Sequence, residues 1–302
     1  MIILKMKSGF MNSVTNLHGY MKTVNSLSGG KTSSYIAANY PADYDVFALV
    51  RTDDKNCMYP DKKLRQEVED RIQAPFIGTL EDDTIIHTML DLEQYIGRKI
   101  TWVTGKTFDE IIVRKDKKYL PNVTQRFCTT EMKLHPIFKW WESEIGKPIA
   151  TRIGYRANEQ NRAKTMLSKL NEEGLSTYKT IVGKRKTQNK WATIGWQKPV
   201  FPLIEDNIYK DQIEQYWKEK PVRFAYMNNC IGCFHRNEVL LKLMSEKHPN
   251  KFNWFIEAEQ DTGHNTRTFK NGVTYKQIKN SLKQVPLFDD DFNECDSGYC
   301  GL

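Results

Sequence analysis

Apolar residues in this chain come in short runs separated by stretches of helical periodicity. The runs Thr23–Leu27, 46–51, 74–77, 100–103 and 149–155 read as strands. Between them, 61–72 sets Leu64, Val68 and Ile72 at helical spacing. Helices are also predicted over Thr84–Ile96, 107–113 and 131–144, the last with Met132, Ile137, Trp140 and Trp141 near one face. Further helical patterns begin at Asn158 and cover 207–218 and Glu238–Lys247. Strands alternating with helices predict an α/β fold, a doubly wound parallel sheet covered on both faces. Ligands of such sheets bind at the carboxyl ends of the strands.

The pattern changes near Lys220. Beyond it come a cysteine pair, a helix, an aromatic patch at Phe252, Trp254 and Phe255, and an acidic tail, Asp289-Asp290-Asp291. We expect an α/β nucleotide-binding domain over 21–220 and a smaller helical, cysteine-bearing region over 221–302. Residues 1–20 read as an extension ahead of Met21 and the first strand. They lack the hydrophobic stretch and cleavage site of a secretory signal. No apolar run is long enough to span a membrane, so a cytoplasmic protein is expected.

Charge narrows the partners. The 302 residues carry a formal net charge of +8, which favours polyanions such as nucleotides or nucleic acid. The densest basic stretch is Lys179, Lys184, Arg185, Lys186 and Lys190, followed by Trp191 and Trp196. It reads either as a nucleic-acid contact or as an exposed, mobile loop.

The clearest chemistry follows the first strand. Ser28, Gly29, Gly30, Lys31, Thr32 and Ser33 form a small-residue turn leading into a helix. Glycines let a backbone approach a ligand closely, and a helix start offers free N–H groups to an anion. Lys31 and the hydroxyls of Ser28 and Ser33 add donors. The spacing is not that of a Walker A loop. Asp53 and Asp54, after the second strand, are candidates for ribose or Mg²⁺ contacts.

Six cysteines are present, at 57, 128, 230, 233, 295 and 300. Without a secretory signal, metal or redox chemistry is a better reading than a disulfide framework. Cys230-Ile231-Gly232-Cys233 is a C-x-x-C knuckle, fit for zinc, an iron–sulfur cluster or a redox pair. Cys128 precedes a helix and has Arg126 and Lys133 nearby, which predicts a thiolate. A cubane cluster wants four cysteines, and Cys57, Cys295 or Cys300 is the candidate fourth. His235 is a further possible zinc ligand.

Several segments together resemble the phosphoadenosine phosphosulfate (PAPS) reductase-like family of the adenine nucleotide alpha-hydrolase superfamily. The loop 28–33 resembles the S-G-G-x-D-S pyrophosphate loop (PP-loop) of N-type ATP pyrophosphatases, with Thr32 in place of Asp. Trp102-Val103 followed by Thr107-Phe108-Asp109 is similar to the family's middle strand and next helix. Arg126, Cys128, Thr129, Lys133 and Pro136 are similar to its R-x-C-T-x-x-x-K-x-x-P segment. Gly154, Arg156, Glu159 and Arg162 resemble its G-x-R-x-x-E-x-x-R segment. Pro202-Leu203 with Tyr209-Lys210-Asp211, and Asn229-Cys230 to Cys233-Phe234, complete the series over roughly residues 23–245.

The resemblance implies three functions. The first is an enzyme that splits Mg·ATP at the α-phosphate, adenylates a DNA or tRNA acceptor and couples this to sulfur transfer, with a partner protein giving sulfur or electrons. Lys31, Arg156 and Arg162 would be catalytic, and Glu159 their orienting partner. Ser28 to Ser33 and Asp53 would bind nucleotide. Cys128, Cys230, Cys233 and Cys300 would hold a [4Fe–4S] cluster, or zinc. The second is a sulfonucleotide reductase, in which a cysteine thiolate attacks the sulfur of adenylyl sulfate or PAPS. The third is a non-catalytic nucleotide or nucleic-acid binding module.

Overall fold

The computed structural model describes residues 21–114, 117–186, 188–260 and 267–282. The expected extension, the acidic tail, Cys295 and Cys300 lie outside these residues. Among the described residues eight strands form: β1 Thr23–Leu27, β2 Tyr44–Leu49, β3 Ile100–Thr104, β4 Val113–Arg114, β5 Lys117–Lys118, β6 Ile149–Arg152, β7 Ser176–Arg185 and β8 Gln188–Val200. Six of them make one sheet in the order β3-β2-β1-β6-β8-β7, and β4 with β5 form a small separate ladder. All neighbours in the large sheet run parallel except β7, which pairs antiparallel with β8.

Alternation along the central strands explains why both faces are covered. In β2, Phe47 and Leu49 point to one side and Val46 and Ala48 to the other. The first side packs Leu27, Phe47, Leu49 and Trp102 against Ile36, Val68, Ile86, Met89, Ile213 and Trp217 of four helices. The second packs Val24, Val46 and Ala48 against Ile137, Phe138 and Trp141 of the helix His135–Glu144. Near-continuous burial of β2 is what a parallel strand between two helical layers requires.

Local signals set the helix ends. The helix Lys62–Ile72 starts at Asp61, whose carboxylate accepts from the Lys63 and Leu64 amides. Asp61→Ala should cost ~1 kcal/mol, read as a shift of the urea midpoint at constant slope. The helix Phe108–Ile112 has a capping box between Thr107 and Glu110.

Two expectations need correction. Residues 74–77 form no strand; the chain there is a loop, and its neighbour Gly78 makes isolated bridges to Thr52 and Met58. Arg51 Nη1 donates to the Pro75 carbonyl at 2.6 Å, so this backbone is tied by a side chain instead of a ladder. The basic stretch is also no irregular loop. It is the long β7–β8 hairpin, anchored by Tyr178 stacked on Phe138 at 4.5 Å.

The region after Lys220 shares a core with the first domain. Leu240, Leu241, Met244, Phe252, Phe255 and Tyr275 pack with Val50, Leu80, Phe108, Ile111 and Met132. Val50 follows β2 and Phe108 follows β3. The C-terminal helices therefore cap the carboxyl edge of the sheet, where ligands of α/β folds bind.

Candidate functional site

The phosphate-type loop sits at the carboxyl end of β1. Gly29 has φ +82°, and a Cβ there would stand 2.6 Å from Ile85 Cγ2. Only glycine fits this turn without moving Ile85. Gly30 is the N-cap of the helix Lys31–Asn39, so the amides of the first turn face the carboxyl edge. Ser33 Oγ accepts from the Ser28 amide at 3.2 Å and lies 3.2 Å from Ser28 Oγ. Both hydroxyls thus stand in the turn. Lys31 Nζ is paired with Glu214 of the helix Lys210–Trp217, and both side chains are about one-third exposed. Trp217 Nε1 donates to the Lys31 carbonyl at 2.9 Å, which fixes that helix against the loop.

The loop after β6 lies beside it. A Cβ on Gly154 would stand 3.3 Å from Thr32 Cγ2, so the two turns are in van der Waals contact. Thr32 is buried with its methyl toward Gly154. Glu159 gathers the two arginines. Its Oε2 accepts from the Arg156 amide at 2.9 Å and from Arg156 Nε at 3.0 Å. Its Oε1 accepts from Arg162 Nη1. Arg162 also lies over the Tyr155 ring at 4.4 Å. Glu159 thus holds the two guanidiniums side by side.

Adjacent strands β1 and β6 thus present Lys31, Arg156 and Arg162 at one edge. Strand order runs β1, β2, β3 to one side of β1, and β6, β8, β7 to the other. The two loops meet where the order reverses, the switch point at which α/β sheets open a crevice.

Asp53 is occupied elsewhere. Its Oδ2 accepts from Thr107 Oγ1 at 2.7 Å, and its amide donates to Asp109 Oδ2 at 2.8 Å. Asp109 Oδ1 in turn accepts from Trp254 Nε1 at 2.8 Å. This network joins the loops after β2 and β3 to the C-terminal helices. Asp54 caps the short turn Lys55–Cys57. Cys57 is 2% exposed in the core, and burial pushes its thiol up to about 12, so it is not an activated nucleophile.

Cys128, Cys230 and Cys233, distant in sequence, line one cavity of about 40 Å³ with Arg126, Lys133, His235 and several aromatic rings. Cys128 lies in the one-turn segment Phe127–Thr129, followed by a π-helical turn, Thr130–Leu134. Such turns are rare and recur at functional sites. The knuckle is pinned by the Ile231 amide donating to the Leu80 carbonyl at 2.8 Å and by Tyr275 Oη donating to the Gly232 carbonyl at 2.9 Å.

The expectation of a Cys128 thiolate is overturned. Burial raises the thiol to about 11, helped by the neighbouring Cys233 and opposed by the Thr129 hydrogen bonds and the Arg126 charge. Cys230 is raised well above the ordinary value, again mainly by burial. Grouped, desolvated thiols of this kind ionise when a cation joins them. Among the described residues, however, no three His, Cys, Asp or Glu side chains form a group that could hold a metal ion. The thiols border the cavity without closing on one point. Three soft sulfur atoms thus stand in one largely apolar wall beside Arg126 and Lys133, donors of the type that sulfur-binding metals take.

Sequence reasoning missed the charges beneath the cavity. Lys133 Nζ donates to Glu81 Oε1 at 2.9 Å, with the two side chains 7% and 1% exposed. Lys251 Nζ donates to the Glu81 carbonyl and to Asp83 Oδ1, both at 2.7 Å. His248 faces Asp82 at 3.3 Å. Burial alone would raise Asp82, but His248 and the Thr84 amide bring it down to about 2. The acidic run Glu81-Asp82-Asp83 was the visible signal. Glu214 gave none. The same segment also connects the two sites: Leu80 holds the cysteine knuckle and Ile85 touches Gly29. They lie five positions apart in the chain, a reach of at most about 18 Å.

Compared with family models, curated proteins and solved structures, the chain matches none.

Proposed function

We propose that the chain is a PP-loop enzyme of the PAPS reductase-like kind, on a doubly wound adenine nucleotide alpha-hydrolase fold. In this reading it binds Mg·ATP at the loop 28–33, cleaves it to AMP and pyrophosphate while adenylating an acceptor, and couples this to sulfur transfer at the cysteine cavity. One observation carries the reading. A glycine turn with a helix start, Lys31, and the paired Arg156 and Arg162 meet at the switch point of a mostly parallel sheet.

The chemistry follows from those donors. An acceptor nucleophile attacks the α-phosphorus, the bond to the bridging oxygen breaks, and pyrophosphate leaves with the electron pair. The amides of the helix start and Lys31 bind the departing charge. Glu214 occupies Lys31 in its place until phosphate arrives. Arg156 and Arg162, oriented by Glu159, hold phosphate oxygens through their planar forks. Cys128, Cys230 and Cys233, with a fourth ligand, would hold the cofactor. A [4Fe–4S] cluster supplies sulfur and electron chemistry when bound, and zinc is the structural alternative.

Calorimetry on anaerobically purified protein tests this, with Mg·ATP, adenylyl sulfate and PAPS as titrants. Mg·ATP should bind in preference to both sulfonucleotides. Lys31→Ala should weaken it about 10- to 100-fold, the worth of one charged hydrogen bond. Unchanged affinity in that variant would sink the loop assignment. Preference for a sulfonucleotide would make the chain a reductase, and binding of none of the three would overturn the nucleotide reading.

A further inference from the structure

The β7–β8 hairpin extends beyond the sheet, and its outer half has no counterpart in the nucleotide site. Between Glu173 and Glu205 the chain contains no acidic residue, yet it carries Lys179, Lys184, Arg185, Lys186, Lys190 and Lys198. The sign is uniform over the whole hairpin. A random surface of a protein with 27% charged residues and mixed signs does not produce this, and it gives the hairpin a strong attraction for polyanions.

Register shows how these residues are arranged. Lys179 pairs with Thr193, Ile181 with Trp191, and Lys184 with Asn189, with a bulge between Ile181 and Gly183. Directly paired residues share a face, and the bulge keeps Lys184 on the face of Ile181. That face therefore presents Lys179, Ile181, Lys184 and Trp191 in a row. Trp191 is 55% exposed and Ile181 42%. Lys179 Nζ lies 5.6 Å over the Trp191 ring, which leaves the other ring face open. The opposite face is the anchored one, with Tyr178 on Phe138 and Thr180 buried. Trp196, the second aromatic of the basic stretch, is in the core and takes no part.

We propose that this outward face is a single-stranded nucleic-acid binding arm, with a base stacked on Trp191 and the lysines on the flanking phosphates. An exposed indole among cations of one sign suits a flexible strand, whose bases offer π-faces. A duplex hides those faces, and an acidic peptide has none. The inference goes beyond the nucleotide reading and does not depend on it, so its test is run without nucleotide.

The experiment is fluorescence anisotropy of the full chain with labelled single-stranded DNA, single-stranded RNA and duplex DNA, at several salt concentrations. Single strands should bind more tightly than duplex. Trp191→Ala should weaken single-strand binding about 5- to 100-fold, the range for loss of one stacked base. Lys179→Gln with Lys184→Gln should reduce the slope of log affinity against log salt by about 1.4, two phosphate contacts on a single strand. All three positions are exposed, and circular dichroism of each variant should match the wild type. Absence of single-strand binding at low salt overturns the proposal. So does binding that Trp191→Ala leaves unchanged, a preference for duplex, or stronger binding to anionic lipid vesicles than to any oligonucleotide.

Discussion

Lys133→Met should destabilise the protein by about 3–5 kcal/mol, the cost of stranding one member of a buried ion pair. Glu81 is the stranded partner. Its side chain is 1% exposed and receives Lys133 Nζ at 2.9 Å. Lys251 cannot replace the lost cation, because its ammonium already serves the Glu81 carbonyl and the Asp83 carboxylate. Methionine keeps the length and apolar stem of lysine, so the loss is one of charge and hydrogen bonding, not of volume. The double variant Glu81→Gln/Lys133→Met should therefore recover most of the stability. Urea unfolding of the wild type, both singles and the double gives the coupling directly. A single variant no less stable than the double would show that the pair carries no coupled charge.

On the proposed reading of the cysteine cavity as a metal centre, Cys230→Ser should abolish metal binding by anaerobically purified protein. Serine offers a hard, protonated oxygen where a soft thiolate is needed, and the three remaining ligands are one short of the four a cubane cluster wants. Iron, zinc and acid-labile sulfide analysis, with the visible absorption band, separates the cluster from zinc. Chelation supplies a second readout. Metal binding contributes to folding free energy, so stripping the wild type should lower its melting temperature toward that of the variant. The variant itself should not respond to chelator. Equal metal in both proteins would take Cys230 out of the ligand set. Cys57→Ala should retain the metal, since Cys57 is not among the residues that line the cavity.

Much of the sheet was readable because parallel strands between helical layers are apolar on both faces. Thr23–Leu27 and Thr84–Ile96 begin and end where the pattern says. Strand 74–77 failed because four apolar or small residues cannot be told from a buried loop by periodicity, and Arg51 satisfies that backbone from outside. The hairpin was missed for the opposite reason. Its alternation of Ala192 and Ile194 with exposed Trp191 and Thr193 is a strand signal, but the lysines at its tip read as loop. The helix expected over 131–144 ends where predicted, but the helical stretch begins at Phe127 and winds as a π turn over Thr130–Leu134, which nothing in those residues announces.

The site divides similarly. Loop 28–33, Arg156, Glu159, Arg162 and the three cysteines were legible as local spacings, and the fold brings each set together. Glu214, Glu81 and Lys251 were not, because each acts across long sequence separation and through the register of a helix on another element. The expected thiolate at Cys128 failed on burial. Sequence shows the cations beside a cysteine but not the depth of the protein around it.

The π turn has one more effect. An α-helix advances about 100° per residue, and one wide turn inserts an extra residue without moving the axis. Residues on either side of Thr130–Leu134 are thereby phased independently. Upstream, Cys128 is aimed at the cavity; downstream, Ile137, Phe138 and Trp141 are aimed at the sheet. Regular winding throughout would allow one of these alignments and forfeit the other. The turn works as a vernier between the cavity-facing and the sheet-facing ends of a single rod.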